Sequence, residues 1–96
     1  MEIILICPFK NKISIKTSFD ILKLLIKENL SVSVDKTLYK AFKKNEQNIE
    51  VNVYEDLNSS ADFLFCIGGD GSMLKAVSFL KQNQIPILGI NIGRLG

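Results

Sequence analysis

The chain has 96 residues, enough for one small domain, with 47% hydrophobic and 23% charged residues, the balance of an ordinary globular protein. A net charge of +2, with no basic stretch interleaved with aromatics, argues against a nucleic-acid partner. No apolar run approaches the length of a membrane span, and Glu2 and Pro8 interrupt any signal-peptide pattern, so no membrane partner is expected.

In chain order, Glu2 to Cys7 predicts a buried strand stopped by Pro8. The loop Pro8 to Lys12 contains no glycine and no phosphate-loop pattern, and its Asn11-Lys12 pair lacks the downstream aspartate of guanine recognition. It reads as a plain connection, although loops after the first strand of an α/β fold often line a site. From about Ser14 to Asn29 the spacing predicts a helix, with Phe19, Leu22, Leu25, Ile26 and Leu30 inward and Thr17 or Ser18 as candidate caps.

Ser31 to Val34 alternates polar and apolar residues, the pattern of a strand near a sheet edge. Leu38 to Lys44 predicts a short helix with Leu38, Ala41 and Phe42 inward, and Lys36, Lys40, Lys43 and Lys44 then form a solvated face. Asn45 to Asn48 is a polar turn. Ile49, Val51 and Val53 alternate with Glu50, Asn52 and Tyr54, which predicts a half-exposed strand. Asp56 to Ala61 is a loop of turn-forming residues.

The most informative stretch follows. Phe63 to Ile67 is an uncharged apolar run, suited to a buried parallel strand. Gly68-Gly69-Asp70-Gly71 comes next, and then a helical pattern to about Gln82 with Met73, Leu74, Val77 and Leu80 as its apolar stripe. Strand, glycine turn and helix N-terminus together present free N–H groups and a positive dipole end to an anion, so phosphate is readily held there. Asp70 has two readings: a helix cap, which aspartate favours, or a carboxylate held against a nucleotide. Flanking glycines favour the second, since capping alone does not require a backbone stripped of side chains on both sides.

Asn83 and Gln84 close that helix before Pro86, and Ile87 to Ile90 predicts another buried strand, ending in Asn91-Ile92-Gly93-Arg94-Leu95-Gly96. All six glycines lie at or after Gly68, so only the last third has places where backbone must come close to something. The alternation of strands and helices predicts an α/β domain over residues 1–96: an open, mainly parallel, Rossmann-like sheet with helices on both faces. The two glycine-bearing loops, Gly68 to Ser72 and Asn91 to Gly96, should then meet at the carboxyl edge of the sheet.

Cys7 and Cys66, with no histidine and no third thiol, do not make a zinc site, and no metal-ligating set is predicted. They read as buried reduced thiols of a cytoplasmic protein. The absence of histidine leaves carboxylate, lysine or substrate to move any proton.

With both loops in view the chain resembles the NAD kinase family. The matching segments are Gly68-Gly69-Asp70-Gly71-Ser72-Met73-Leu74-Lys75-Ala76 and Ile85-Pro86-Ile87-Leu88-Gly89-Ile90-Asn91-Ile92-Gly93-Arg94-Leu95-Gly96. The glycine-aspartate turn alone is also similar to phosphofructokinases and lipid kinases, whereas the second segment is not. The resemblance implies a phosphofructokinase-like N-terminal domain of an enzyme that phosphorylates the 2′-hydroxyl of the adenosine ribose of NAD. ATP or polyphosphate would be the donor, with a divalent cation such as Mg.

By the same resemblance Asp70 accepts the hydroxyl proton, and Gly68, Gly69, Asp70, Gly71, Ser72, Leu74 and Lys75 bind the nucleotide. Lys75 also reads as a solvated helix lysine, Asn91 as a residue that fixes its loop, and Arg94 is open between the two roles. Ser72 stands where the family more usually has threonine. The family continues beyond this glycine into an aromatic-bearing loop and a C-terminal β-rich domain, both absent here. The chain is therefore expected to be an N-terminal fragment, weak or inactive by itself, of a homo-oligomeric protein with small-molecule nucleotide partners. The alternatives are another kinase with this turn, acting on a sugar phosphate or lipid, and a non-catalytic nucleotide-binding module.

Overall fold

The computed structural model describes residues 1–45, 50–54, 61–80 and 84–92. The expected turn over 46–48, Ile49, the loop over 56–60, the helix end at 81–83, and Gly93, Arg94, Leu95 and Gly96 lie outside them.

Among the described residues five parallel strands form one sheet: β1 (Glu2–Ile6), β2 (Ser31–Asp35), β3 (Asn52–Tyr54), β4 (Phe63–Gly68) and β5 (Ile87–Asn91), in spatial order β3-β2-β1-β4-β5. Three helices connect them: α1 (Lys12–Lys27), α2 (Lys36–Lys44) and α3 (Asp70–Leu80). The hydrophobic cores explain the layering. On one face Phe19, Leu22 and Leu25 of α1 and Leu38 and Phe42 of α2 pack on Ile3, Leu5, Val32 and Val34. On the other, Ala76 and Leu80 of α3 pack on Ile4, Ile6, Leu64 and Cys66. Alternate residues of β1 serve opposite cores, as a strand covered on both sides requires. Among the described residues no helix is long and apolar enough to cross a membrane.

The helix starts differ from expectation. Helix α1 begins at Lys12, because Asn11 and Ser14 form a capping box: the Ser14 N–H donates to Asn11 Oδ1, and the Asn11 N–H donates to Ser14 Oγ, each at 2.8 Å. Thr17 and Ser18 are interior. Ser14 and Ser18, one turn apart and both buried, let α1 approach the sheet closely. Helix α2 begins at Lys36, capped by Asp35, whose Oδ1 accepts from the Leu38 N–H. The Phe19 and Phe42 rings join the two helices edge to face, 5.3 Å apart.

Three burial expectations also change. Leu74 and Val77 are 75% and 59% exposed, and the inward face of α3 is Ser72, Met73, Ala76 and Leu80. Small Ser72 and Ala76 bring the helix down onto β4, turning the two larger residues outward. Strand β5 lies last in the sheet order among the described residues, with Leu88 exposed and Ile87 and Ile90 half-buried. Ile26 of α1 is likewise exposed.

Candidate functional site

The sheet reverses its winding between β1 and β4. From β1 the chain moves outward through β2 to β3, and from β4 it moves the other way to β5. The carboxyl ends of β1 and β4 are therefore splayed by their loops, which is where open α/β sheets bind ligands. The loop after β4 is the glycine turn, and the loop after β1 lies beside it.

Gly68 has φ +148°, a conformation open to glycine and strained for other residues, and a Cβ there would overlap Ser72 Oγ. The reversal this allows aims the chain directly into α3. The Ser72 and Met73 N–H groups donate to Gly69 O, at 3.1 and 3.2 Å, so the amides of Gly69, Asp70 and Gly71 stand ahead of the helical ladder. Gly69 thus holds the cap position and Asp70 is the first helical residue, exposed to solvent. The capping reading of Asp70 is corrected here: a backbone carbonyl supplies what its side chain would have supplied. The carboxylate sits at the positive end of the dipole, which stabilises it there.

Beneath the turn, buried Ser72 carries its carbonyl toward β4, and Cys66 Sγ donates to Ser72 O at 3.3 Å. Burial first, and the neighbouring Cys7 thiol second, push the Cys66 pKa from its ordinary 9.0 to about 11. Both cysteines are free, buried and divided between the two cores. On the other side of the turn, β4 and β5 stay in register to their ends: Gly68 pairs with Asn91, and the Ile92 N–H donates to Gly68 O at 3.3 Å. Gly89 of β5 makes room for Met73, whose Sδ a Cβ at 89 would strike.

The loop after β1 is part of this site, which its sequence did not announce. It is tied down without glycine: Phe9 O accepts from Cys7 Sγ and Ser14 Oγ, and Lys10 Nζ donates to Cys7 O at 2.8 Å. The exposed Phe9 ring lies against Gly71, with 3.5 Å between its Cε2 and where a Cβ on Gly71 would be. Next to it, a cavity of about 330 Å³ opens beyond the carboxyl ends of β1 and β2. Ile6, Pro8 and Lys10 line it from β1 and its loop, Asp35 and Thr37 from the start of α2, and Lys75 and Ser78 from α3.

The sequence-predicted residues are thus only partly together. Gly68, Gly69, Asp70, Gly71 and Ser72 form the turn itself, and Lys75, exposed one turn further, lines the cavity. Leu74 is exposed on the outer side of α3 and does not line that cavity. Lys10, Asp35 and Thr37 join the site unannounced. Lys10 alone had a positional hint, as part of the loop after the first strand. Among the described residues no three His, Cys, Asp or Glu side chains are grouped to hold a metal ion.

Known proteins resemble this chain in sequence and in fold. The ATP-NAD kinase N-terminal domain family matches residues 3–96. The chain is 40% identical to the NAD kinase of Christiangramia forsetii over an alignment of 81 positions that covers 79% of this chain and 27% of that protein. It is 37% identical to the NAD kinase of Methanosphaera stadtmanae over 76 residues, 79% of this chain and 26% of that protein. The chain therefore spans about a quarter of the length of these curated relatives. Its fold superposes on the crystal structure of yeast NADH kinase complexed with NADH with a TM-score of 0.75 and 17% identity, over 100% of this chain and 31% of that one.

Proposed function

Since this chain belongs to the ATP-NAD kinase family, matching its N-terminal domain, we propose that it contributes the phosphoryl-transfer turn of an NAD kinase. The observation behind the proposal is an exposed carboxylate, Asp70, in the first turn of α3, flanked by glycines at the winding reversal of the sheet. In this reading the acceptor is the 2′-hydroxyl of the adenosine ribose of NAD, and the donor is ATP or polyphosphate.

The chemistry follows from the turn. Asp70 orients the ribose hydroxyl and takes its proton as the oxygen attacks the terminal phosphorus. The new bond forms between ribose O2′ and that phosphorus while the bond to the leaving phosphate oxygen breaks. The leaving group carries away the electron pair. Glycine at 69 and 71 lets phosphate oxygens approach the amides ahead of the α3 ladder, whose dipole offsets the charge. Lys75, one turn on, adds a mobile cation, and Gly68, Ser72 and Cys66 hold the geometry. A Mg ion would neutralise phosphate charge on the donor. Two free, buried thiols suit a reducing cytoplasm, and the family resemblance supports a homo-oligomer.

An acceptor panel on the protein carrying this sequence tests the proposal. NAD, NADH, fructose 6-phosphate and diacylglycerol are each incubated with ATP or polyphosphate and Mg, and products are separated by chromatography. NADP from NAD is the expected product. Phosphorylation of the sugar phosphate or the lipid, with none of the dinucleotide, would overturn it.

A further inference from the structure

The glycine turn is supported unevenly on the two sides of Asp70. A Cβ built on Gly69 would meet nothing within 4 Å among the described residues, whereas one built on Gly71 would meet a single side chain, Phe9, whose Cε2 lies 3.5 Å away. Glycine has more accessible conformations than any other residue, so a carboxylate flanked by two glycines is poorly fixed by its own backbone. The Phe9 ring is the side chain placed to restrict that freedom at Gly71.

The ring is itself held from behind. Phe9 O accepts from Ser14 Oγ at 3.3 Å and from Cys7 Sγ at 3.8 Å, and Ser14 belongs to the capping box that starts α1. The backbone is thus anchored to the end of β1 and to α1, while the side chain remains 56% exposed. Core burial does not account for that arrangement; contact with the turn does. A carboxylate that must orient an attacking hydroxyl gains from such support, since a displacement of about 1 Å can cost ~10²-fold in rate. We propose that Phe9 is a positioning residue, a strut between the start of α1 and the glycine turn that holds Asp70 in its reactive orientation. It acts through Gly71 rather than on the substrates, and the assignment rests on the kinase reading.

The test joins amide NMR order parameters at Gly69 and Gly71, measured without ligands on the protein carrying this sequence, to kcat and KM for NADP formation from NAD and ATP. Phe9→Ala is expected to lower the order parameter at Gly71 from about 0.85 toward about 0.6. It should lower kcat by about tenfold to hundredfold, with KM for NAD and for ATP within a few-fold of the parent. Phe9→Met, which reaches as far as the lost Cε2 without a flat ring, should restore most of both. Phe9→Val is too short to reach Gly71 and should behave as the alanine variant does, so it decides the matter should alanine not fold. An unchanged kcat in the alanine and valine variants, or a lower kcat with Gly71 as ordered as in the parent, would overturn the strut. So would a KM raised tenfold or more with kcat intact and no rescue by methionine, the signature of a ring that stacks on a ligand. A lowered order parameter at Gly71 in Phe9→Ala, with no NADP made by the parent, would overturn the kinase reading alone.

Discussion

Ser72 fills the space that a side chain on Gly68 would need. Gly68 has φ +148°, and a Cβ built on it overlaps both Oγ and Cβ of Ser72, so backbone strain and steric overlap fall on one residue. Gly68→Ala is expected to lose about 1–3 kcal/mol, read from the denaturant midpoint. Adding Ser72→Gly should recover only part of that loss, because it removes the overlap and leaves the dihedral. Full recovery would mean the dihedral carries no strain.

Asn11 caps α1 and closes the loop that holds Phe9 against the glycine turn. Asn11→Ala should cost about 1 kcal/mol, whereas Asn11→Ser should cost only a fraction of that. Thermal unfolding of both variants measures the difference. Equal losses would show that the side-chain oxygen does not act as the cap.

Ser18 is fully buried in α1, and its Oγ has no hydrogen-bond partner among the described residues. Removing a buried, unsatisfied hydroxyl should help. Ser18→Ala is expected to be neutral or to stabilise by up to about 1 kcal/mol in urea unfolding. A clear destabilisation would contradict the orphaned state of that hydroxyl.

Cys66 makes stability fall on the alkaline side. Unfolded, its thiol titrates at the ordinary 9.0; folded, at about 11, because burial disfavours the thiolate. Above pH 9 the unfolded chain binds fewer protons than the folded one. The stability is therefore complete below that pH and fades toward pH 11, by up to about 3 kcal/mol. Urea midpoints across this window should slope downward in the parent and lie flatter in Cys66→Ala. Thiol alkylation of the native protein should also be slow at Cys66.

The sequence-to-structure correspondence is best where a residue type has one physical use. Uncharged runs at Ile3–Ile6 and Phe63–Ile67 have nowhere to go but the middle of a sheet, and they form two of its three interior strands. Gly68-Gly69-Asp70-Gly71 marked a turn that needs bare backbone, and Gly68 does need it. Legibility ended where the partner was distant. Leu74 and Val77 look like core by hydropathy, yet the small Ser72 and Ala76 decide which side of α3 reaches β4. The strand at Ile87–Asn91 looks buried by composition, and only strand order places it last in the sheet among the described residues. Lys10, Asp35 and Thr37 carry no local pattern at all. They share a cavity because the sheet reverses between β1 and β4, a long-range fact that no short window contains.

The central claim is that Asp70 takes the proton of the attacking hydroxyl. Asp70→Asn keeps the size and the polarity of the side chain and removes the base. With the protein carrying this sequence, NAD and ATP, initial rates of NADP formation should fall by about 10²–10⁴ in kcat, with KM for NAD within a few-fold of the parent. An unchanged kcat in Asp70→Asn, in protein whose fold is intact by circular dichroism, would contradict the account and remove Asp70 from the chemistry.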